Sequence, residues 1–164
     1  MEKVSDRIEK KIVLRAPRSR VWAAISDAKQ FGAWFGARFD EPFVVGKPVK
    51  GCIAPTQVDE DVAKKQKPHE GKPFHATIER IDAEHTFSFR WHPFAIDPKV
   101  DYSQEPTTLV TFSLAEVEGG TEVTIVESGF DHVPLARRAE AFKANEGGWQ
   151  HQTQLLQKYL SRVS

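Results

Sequence analysis

The sequence of 164 residues has little of three features that would assign it to a special class of protein. It has one cysteine, Cys52, so an internal disulfide is impossible and a reducing compartment is indicated. Its 23 basic and 23 acidic side chains balance, which gives no electrostatic case for a nucleic acid as partner. No apolar run approaches the ~20 residues of a membrane span, and no secretory leader is recognisable at its start. These absences indicate a soluble, cytoplasmic protein without a membrane span.

Apolar aromatic residues are the most distinctive part of what is present. Eleven phenylalanines and four tryptophans stand against two tyrosines, a set suited to a core or to the lining of a cavity. Hydrophobic residues make up 40% and charged residues 28% of the chain, as is typical of globular proteins. The length fits one domain over residues 1–164, and no repeat divides it.

Periodicity along the chain predicts an α+β fold. Short runs of β-branched and apolar residues predict seven strands, and helical spacing of apolar residues predicts two short helices and one long helix. The two short helices lie between Pro17 and Trp34, with Asp27 as a candidate cap for the second, and the long helix runs from about Leu135 to Val163. The predicted strands are residues 7–16, 38–45, 47–54, 73–82, 86–92, 107–117 and 121–129. Two polar segments, 55–72 and 93–106, are predicted to be long loops.

The predicted order of elements, β-α-α-β6-α, places one long helix against a curved antiparallel sheet. The helix carries an apolar stripe that must be buried on that sheet, and a single helix across a curved sheet leaves space for an internal cavity. The stripe consists of Leu135, Ala139, Phe142, Trp149, Thr153, Leu156 and Leu160.

Two adjacent glycines, Gly147 and Gly148, interrupt the long helix just before Trp149. Because they have no side chains, we expect the sheet or a ligand to approach the helix closely there, and we expect Gly148→Leu to be harmful. The alternative is that the pair ends one helix and a second helix begins, with Trp149 in an ordinary core.

Three stretches carry a resemblance to a known superfamily. They are APRSRVWAAISDAKQFGAWF at 16–35, G-x-P-V-x-G at 46–51, and ESGFDHVP followed by RRAEAFKANEGGWQHQTQLLQKYL within 127–160. They resemble START/Bet v 1-like (SRPBCC) domains, and more narrowly the bacterial branch similar to the C-terminal domain of the heat shock protein 90 ATPase activator. The resemblance covers nearly the whole chain. It implies a helix-grip fold, in which a curved sheet wraps around the C-terminal helix and encloses a mainly apolar cavity.

Strand alternation, loop position and the predicted helices supply the candidate ligand-binding residues. Connections of an antiparallel meander alternate between its two ends, so segments 55–72, 93–106 and 130–134 are expected at one end, which we interpret as the mouth of the cavity. The candidates are Trp34, Phe74, Phe87, Phe89, Trp91, Phe112, Glu127, Phe130, Trp149 and Thr153. Their aromatic character suits an apolar or aromatic ligand.

Glu127 is the most informative polar candidate, because it shares the inward face of its strand with Val123 and Ile125. An inward carboxylate can act as a general base, anchor a ligand, or form a structural salt bridge with an arginine. The candidate arginines are Arg90, Arg137 and Arg138. We expect Glu127→Gln to leave folding and the binding of apolar ligands largely intact.

Three functions remain open at this point. The leading hypothesis is a binding protein that encloses a small apolar or aromatic molecule and has no bound cofactor. The second is a cyclase- or hydrolase-like enzyme whose catalytic candidate is Glu127, helped by His69, His92 or His132 of the mouth. The third is a chaperone-associated domain with a protein partner. No metal-binding or nucleophile motif is present, so we expect no metal site, and we expect a monomer or a homodimer.

Overall fold

The fold consists of two antiparallel sheets and four helices in the residues that the computed structural model describes, which are 7–92, 106–133 and 135–162. The strands are β1 (Arg7–Leu14), β2 (Ala37–Phe39), β3 (Gly51–Ile53), β4 (Pro73–Phe74), β5 (Ala76–Asp82), β6 (Thr86–Trp91), β7 (Thr108–Val117) and β8 (Gly120–Ser128). The helices are α1 (Arg18–Ser26), α2 (Ala28–Phe35), α3 (Glu60–Gln66) and α4 (Leu135–Arg162), with 3₁₀ turns at Lys67–His69 and Phe130–His132. The main sheet has the order β1-β8-β7-β6-β5, and the smaller sheet has the order β2-β3-β4.

The inward faces of the two central strands alternate as predicted. On β8, Val123, Ile125 and Glu127 are buried. On β7, Val110 lies directly opposite Glu127 and Phe112 opposite Ile125, and both are fully buried. Successive side chains of a strand point to opposite faces of its sheet, so these residues form one continuous inner surface.

Asp27 begins α2, as predicted. Its carboxylate accepts hydrogen bonds from the backbone N–H groups of Lys29 (2.9 Å) and Gln30 (3.1 Å), which have no partner within the helix. Gly36 ends α2 in the left-handed conformation, with φ of 98°. The buried residues between these two ends are Phe31, Gly32, Trp34 and Phe35.

The largest difference from the predicted fold lies between β2 and β5. The predicted loop 55–72 contains α3, and the predicted strand 73–82 is divided between two sheets, since β4 pairs with β3 whereas β5 pairs with β6. Seven strands therefore follow α2 in the described part of the chain, where six were predicted. No residue of α3 is buried. A helix without a buried face has no apolar periodicity in its sequence, and that periodicity is the pattern from which a helix is predicted.

Asp59 explains how this polar segment forms a helix. Its carboxylate accepts a hydrogen bond from the backbone N–H of Val62 (3.0 Å) at the start of α3 and another from Nζ of Lys158 on α4. The bond from Lys158 is the main cause, and that from Val62 the second, of a pKa of the Asp59 carboxyl below its ordinary value. The carboxylate thus caps α3 and ties it to the last helix.

Acid is expected to weaken the fold through Asp59. Because its pKa is lower in the folded than in the unfolded chain, its contribution is fully present above the unfolded value of 3.8 and is lost as the pH falls through the folded value. Urea unfolding at about pH 7 and about pH 3 gives the loss in free energy of unfolding on acidification, which we call the acid effect. It should be smaller for Asp59→Asn than for wild type. Asp40→Asn, at an exposed position, is the control. An acid effect equal to that of wild type in Asp59→Asn would contradict this role.

Helix α4 is one unbroken helix of 28 residues. Four residues of the predicted stripe are buried, namely Trp149, Thr153, Leu156 and Leu160. Phe142 is half-buried. Ala139 is exposed, so the assignment of Ala139 to the stripe is wrong, and Ala141 is the buried residue on that turn of the helix. Val163 and the side chain of Leu135 lie outside the described residues. No helix in this part of the chain, α4 included, is apolar enough over a sufficient length to cross a membrane.

The glycine pair lies on the exposed side of α4. A Cβ atom at Gly147 or Gly148 would meet no atom within 4 Å, so the predicted close approach is wrong and a larger side chain at Gly148 has room. The alternative of two separate helices is also wrong, since α4 continues through the pair. Trp149 projects roughly 160° around the helix axis from Gly147, toward the sheet.

Alanine at Gly147 or at Gly148 is expected to raise the free energy of unfolding by about 0.5–1 kcal/mol, because glycine in an open helix interior loses more backbone freedom on folding. The rise in Tm, followed by circular dichroism, measures the gain. Gly71→Ala is the matched control: its Cβ would also meet nothing within 4 Å, but its φ of +88° is expected to make alanine unfavourable by about 1–2 kcal/mol. A lower Tm for either α4 variant would contradict this prediction.

Candidate functional site

Four elements meet at one end of the main sheet, which we call the loop end. β6 ends at Trp91, β7 begins at Thr108 and β8 ends at Ser128, and antiparallel pairing brings these three strand ends together. Helix α4 crosses the same end, where the amide of Asn145 contacts the side chain of Glu127. Side chains from distant parts of the sequence therefore converge here.

The fully buried carboxylate of Glu127 lies at the centre of the loop end. Its Oε1 accepts hydrogen bonds from Nε1 of Trp149 (2.8 Å) and Nδ2 of Asn145 (2.9 Å). Its Oε2 accepts from Nε1 of Trp91 (2.7 Å) and Oγ1 of Thr108 (2.5 Å), and lies 3.1 Å from Nδ2 of Asn145. All four donor groups are neutral. We call these five residues the Glu127 network; it joins β8 to β6, β7 and α4.

The salt bridge considered for Glu127 does not form within the described residues. Arg90 pairs with Glu79 instead, with 2.8 Å between Nε and Oε1. Arg138 donates to two backbone carbonyl groups, and the side chain of Arg137 lies outside the described residues. Burial of a carboxylate without a cation is unfavourable unless the group is well hydrogen-bonded, and the four neutral donors supply those bonds.

Three further aromatic rings pack against the two indoles of the network; we call these five rings the aromatic cluster. The rings of Trp91 and Trp149 have centroids 5.7 Å apart and are tilted by 35°. Phe35 lies 6.2 Å from Trp91 and 6.1 Å from Trp149. Phe89 lies 5.3 Å from Trp91, and Phe112 lies 5.8 Å from Trp149. Four of these residues are buried and Trp91 is half-buried, so the cluster reaches solvent at Trp91.

Side chains fill the space between α4 and the sheet, where an internal cavity was predicted. Ring contacts run without a break from Trp34 to Phe112 (6.5 Å) and on to Trp149 (5.8 Å), which links α2, β7 and α4. A void of about 10 Å³ lies elsewhere, between Phe31 and Phe89 among others, and holds at most one water molecule. Trp34, Phe112 and Leu156 have no exposed surface, so no cavity of ligand size borders these residues in the described part of the chain.

Five of the ten predicted ligand-binding residues come together at the loop end. They are Phe89, Trp91, Phe112, Glu127 and Trp149. Trp34 lies deeper and donates its indole N–H to a carbonyl of α1 (2.9 Å), and Phe87 lines the small void. Phe130 packs on a ring of α4, and Thr153 donates to a carbonyl of its own helix. The side chain of Phe74 lies outside the described residues.

Two members of the network, Thr108 and Asn145, were not predicted from the sequence. Thr108 shares the strand parity of Val110 and Phe112, so alternation along β7 could have identified it. Asn145 stands one helical turn before Trp149, and asparagine is unfavourable inside a helix unless its amide has a specific partner. A mid-helix asparagine on the buried stripe was the available signal.

The arrangement provides a hydrogen-bond acceptor and not an acid–base pair. Both oxygens of Glu127 accept, and no second titratable side chain of the described residues hydrogen-bonds to them. His69 and His132, two candidates for the enzyme alternative, contact Lys72 and Asp131 instead. No set of three His, Cys, Asp or Glu residues in the described ranges could hold a metal ion.

Comparison with known proteins agrees with the resemblance seen in the sequence. The family described as "Activator of Hsp90 ATPase homolog 1-like protein" matches residues 15–161. No protein with a curated description matches the chain.

Solved structures share the fold over nearly the whole chain. Protein MLL2253 from Mesorhizobium loti is 18% identical with a TM-score of 0.69, and the match covers 96% of this chain and 98% of that one. A protein from Arthrobacter aurescens is 19% identical with a TM-score of 0.68, covering 98% and 88%. The Aha1 dimer from Colwellia psychrerythraea is 15% identical with a TM-score of 0.64, covering 94% and 95%. At these identities the structures show the fold alone, and they confirm the predicted helix-grip architecture.

Proposed function

Since the chain belongs to the family of Activator of Hsp90 ATPase homolog 1-like proteins, we propose that it is a non-catalytic binding domain that takes up a small apolar or aromatic molecule at its loop end. The Glu127 network and the aromatic cluster form the proposed site. The observation that supports this most directly is a carboxylate buried among aromatic rings and held by neutral donors.

Folding alone gives little reason for a carboxylate at position 127. Its neighbours on the inner face, Val110, Phe112 and Ile125, are apolar and fully or almost fully buried. Removal of a charged group from water is unfavourable, and apolar replacements of buried charged groups are often neutral or stabilising. A polar residue that departs from an otherwise consistent core is expected where function requires it.

Trp91 and Asn145 are the two donors of the network through which a ligand would reach the carboxylate. Trp91 and Asn145 are half-buried, whereas Glu127 and Trp149 behind them are buried. A ligand that displaces the outer two side chains reaches the carboxylate directly. The ring of Trp91 would have to move, since the 5.7 Å between its centroid and that of Trp149 leaves no room for another ring.

Helix α4 is built so that its first half can leave the sheet. Among the described side chains of residues 138–148, only Ala141 is buried, whereas Leu155, Leu156 and Leu160 anchor the second half. The glycine pair lies between the two halves and lowers the stability of the helix locally. A bend there would open the aromatic cluster and leave the second half in place.

The indole N–H signals of the four tryptophans provide the experiment. We expect a neutral aromatic probe, 1-naphthalenemethanol, to shift the signals of Trp91 and Trp149 saturably in two-dimensional NMR spectra. Trp22, half-buried on α1 outside the cluster, should not respond. Variants Trp22→Phe, Trp91→Phe and Trp149→Phe assign the signals. Failure of the Trp91 and Trp149 signals to shift, or an equal response at Trp22, would contradict the proposal and favour the protein-interaction alternative.

A further inference from the structure

The geometry points to an organic cation as the ligand, namely a primary ammonium group on a small apolar or aromatic body, with the ammonium bound by Glu127. This inference rests on the proposed function, because it names the ligand class of the same site. It also assigns Glu127 as the residue that determines specificity.

The charge of the site favours a cationic ligand. The carboxylate of Glu127 is fully buried, and its hydrogen-bond donors are two indoles, a hydroxyl and an amide. No lysine or arginine of the described residues forms an ion pair with it. An ammonium would provide the missing opposite charge in a region shielded from water, where such attraction is strongest. A ligand carboxylate would instead be repelled.

The aromatic cluster supports the same ligand. Two rings of the cluster bond to the carboxylate and the other three pack against those two, and the faces of aromatic rings carry partial negative charge that attracts cations. Tryptophan is the most effective residue for this interaction, and the cluster holds two, Trp91 and Trp149. Both contact Glu127 through the N–H edge of the indole, so an ammonium that takes the place of Trp91 would meet its ring face once that indole has turned. The apolar body of the ligand would pack on the ring of Phe35 or Phe89.

The outer donors of the network are the ones that an ammonium can replace. Asn145 and Trp91 are half-buried and donate to Oε1 and Oε2 respectively. Trp149 and Thr108 are buried and donate to the same two oxygens. An ammonium has three N–H donors. It can take the places of the outer two while each carboxylate oxygen keeps one resident donor.

Three probes with one ring system test the inference on the wild-type protein. They are 1-naphthylmethylammonium, 1-naphthalenemethanol and 1-naphthoate, titrated against the indole signals of Trp91 and Trp149. We expect the ammonium to bind about tenfold more tightly than the alcohol, as one charge-assisted hydrogen bond with cation–π contacts would provide. We expect the carboxylate to bind more weakly than both.

Variants then locate the origin of the preference. Glu127→Gln should reduce the advantage of the ammonium over the alcohol to about threefold or less, since it removes the charge. Glu79→Gln, which changes an exposed carboxylate on β5, is the matched control and should keep the wild-type preference. If Glu127→Gln does not fold, Asn145→Ala decides the question. It removes a resident donor from Oε1 and should tighten ammonium binding more than alcohol binding.

The outcomes separate this inference from the proposed function. If the alcohol binds at Trp91 and Trp149 as tightly as the ammonium, or if the carboxylate binds best, the inference is overturned and the proposed function stands. If none of the three probes binds there, both are overturned. An unchanged ammonium preference in Glu127→Gln, or in Asn145→Ala where the glutamine variant is unfolded, would also overturn the inference.

Discussion

Replacement of Phe112 by alanine is expected to lower the free energy of unfolding by about 3–5 kcal/mol. The side chain is fully buried, and its ring contacts four others. Those rings are Phe31 at 6.3 Å, Trp34 at 6.5 Å, Phe87 at 6.3 Å and Trp149 at 5.8 Å. The neighbouring rings belong to three different elements, so they cannot collapse together to fill the space that alanine leaves. Urea unfolding followed by circular dichroism measures the loss.

Phe142→Ala is the control for this prediction. Phe142 is also a phenylalanine that packs against another ring, Phe130 at 5.1 Å, but it is half-buried on α4. Its truncation removes less apolar surface from the protein interior and should cost clearly less than that of Phe112. Equal losses for the two variants would show that the interior around Phe112 is not packed as described.

Glu127→Gln is expected to lower the free energy of unfolding by about 2–4 kcal/mol, which revises the expectation drawn from the sequence. Glutamine keeps the shape but replaces one acceptor oxygen by an NH₂ donor. Trp149 donates to Oε1 and Trp91 donates to Oε2, so in either amide orientation one indole N–H faces another donor. An indole nitrogen cannot accept a hydrogen bond, so that conflict cannot be removed by a change of tautomer.

A double-mutant cycle identifies this conflict as the cause. Trp149→Phe removes one of the two indole donors. The double variant with Glu127→Gln should therefore lose less free energy of unfolding than the sum of the losses in the two single variants. Glu79→Gln controls for an effect of the substitution type, because Glu79 is exposed. A urea midpoint for Glu127→Gln equal to that of wild type would show that the network contributes no stability.

The parts of the fold that follow from local pattern could be predicted from the sequence. Alternation identified the inward face of β8, including Glu127, because the side-chain period of a strand depends only on the strand itself. Asp27 was recognised as a helix cap because its partners are two and three residues away. The segment of α3 was missed because Asp59 draws part of its support from Lys158, which is distant in sequence.

The details of the site depend on distances that a local pattern does not contain. Periodicity shows which side of α4 faces the sheet, but the separation between helix and sheet is set by how Trp34, Phe112 and Trp149 pack together. The cavity was therefore predicted and a packed interior was found. The donors to Glu127 depend in the same way on the register between α4 and β8, which brings Asn145 to the carboxylate.

The pairing of the first strand with the last strand bears on how the chain folds as it is made. β1 pairs along its whole length with β8, and Thr121 at the start of β8 donates to the carbonyl of Ala16, 105 residues earlier. At about 5–20 residues per second, a ribosome takes on the order of 5–20 s to add that stretch. Until then β1 has no partner in the main sheet. The donors to Glu127 on α4 are synthesised later still. A nascent chain stalled before residue 121 therefore exposes an unpaired strand and a row of aromatic side chains, which favours aggregation over folding.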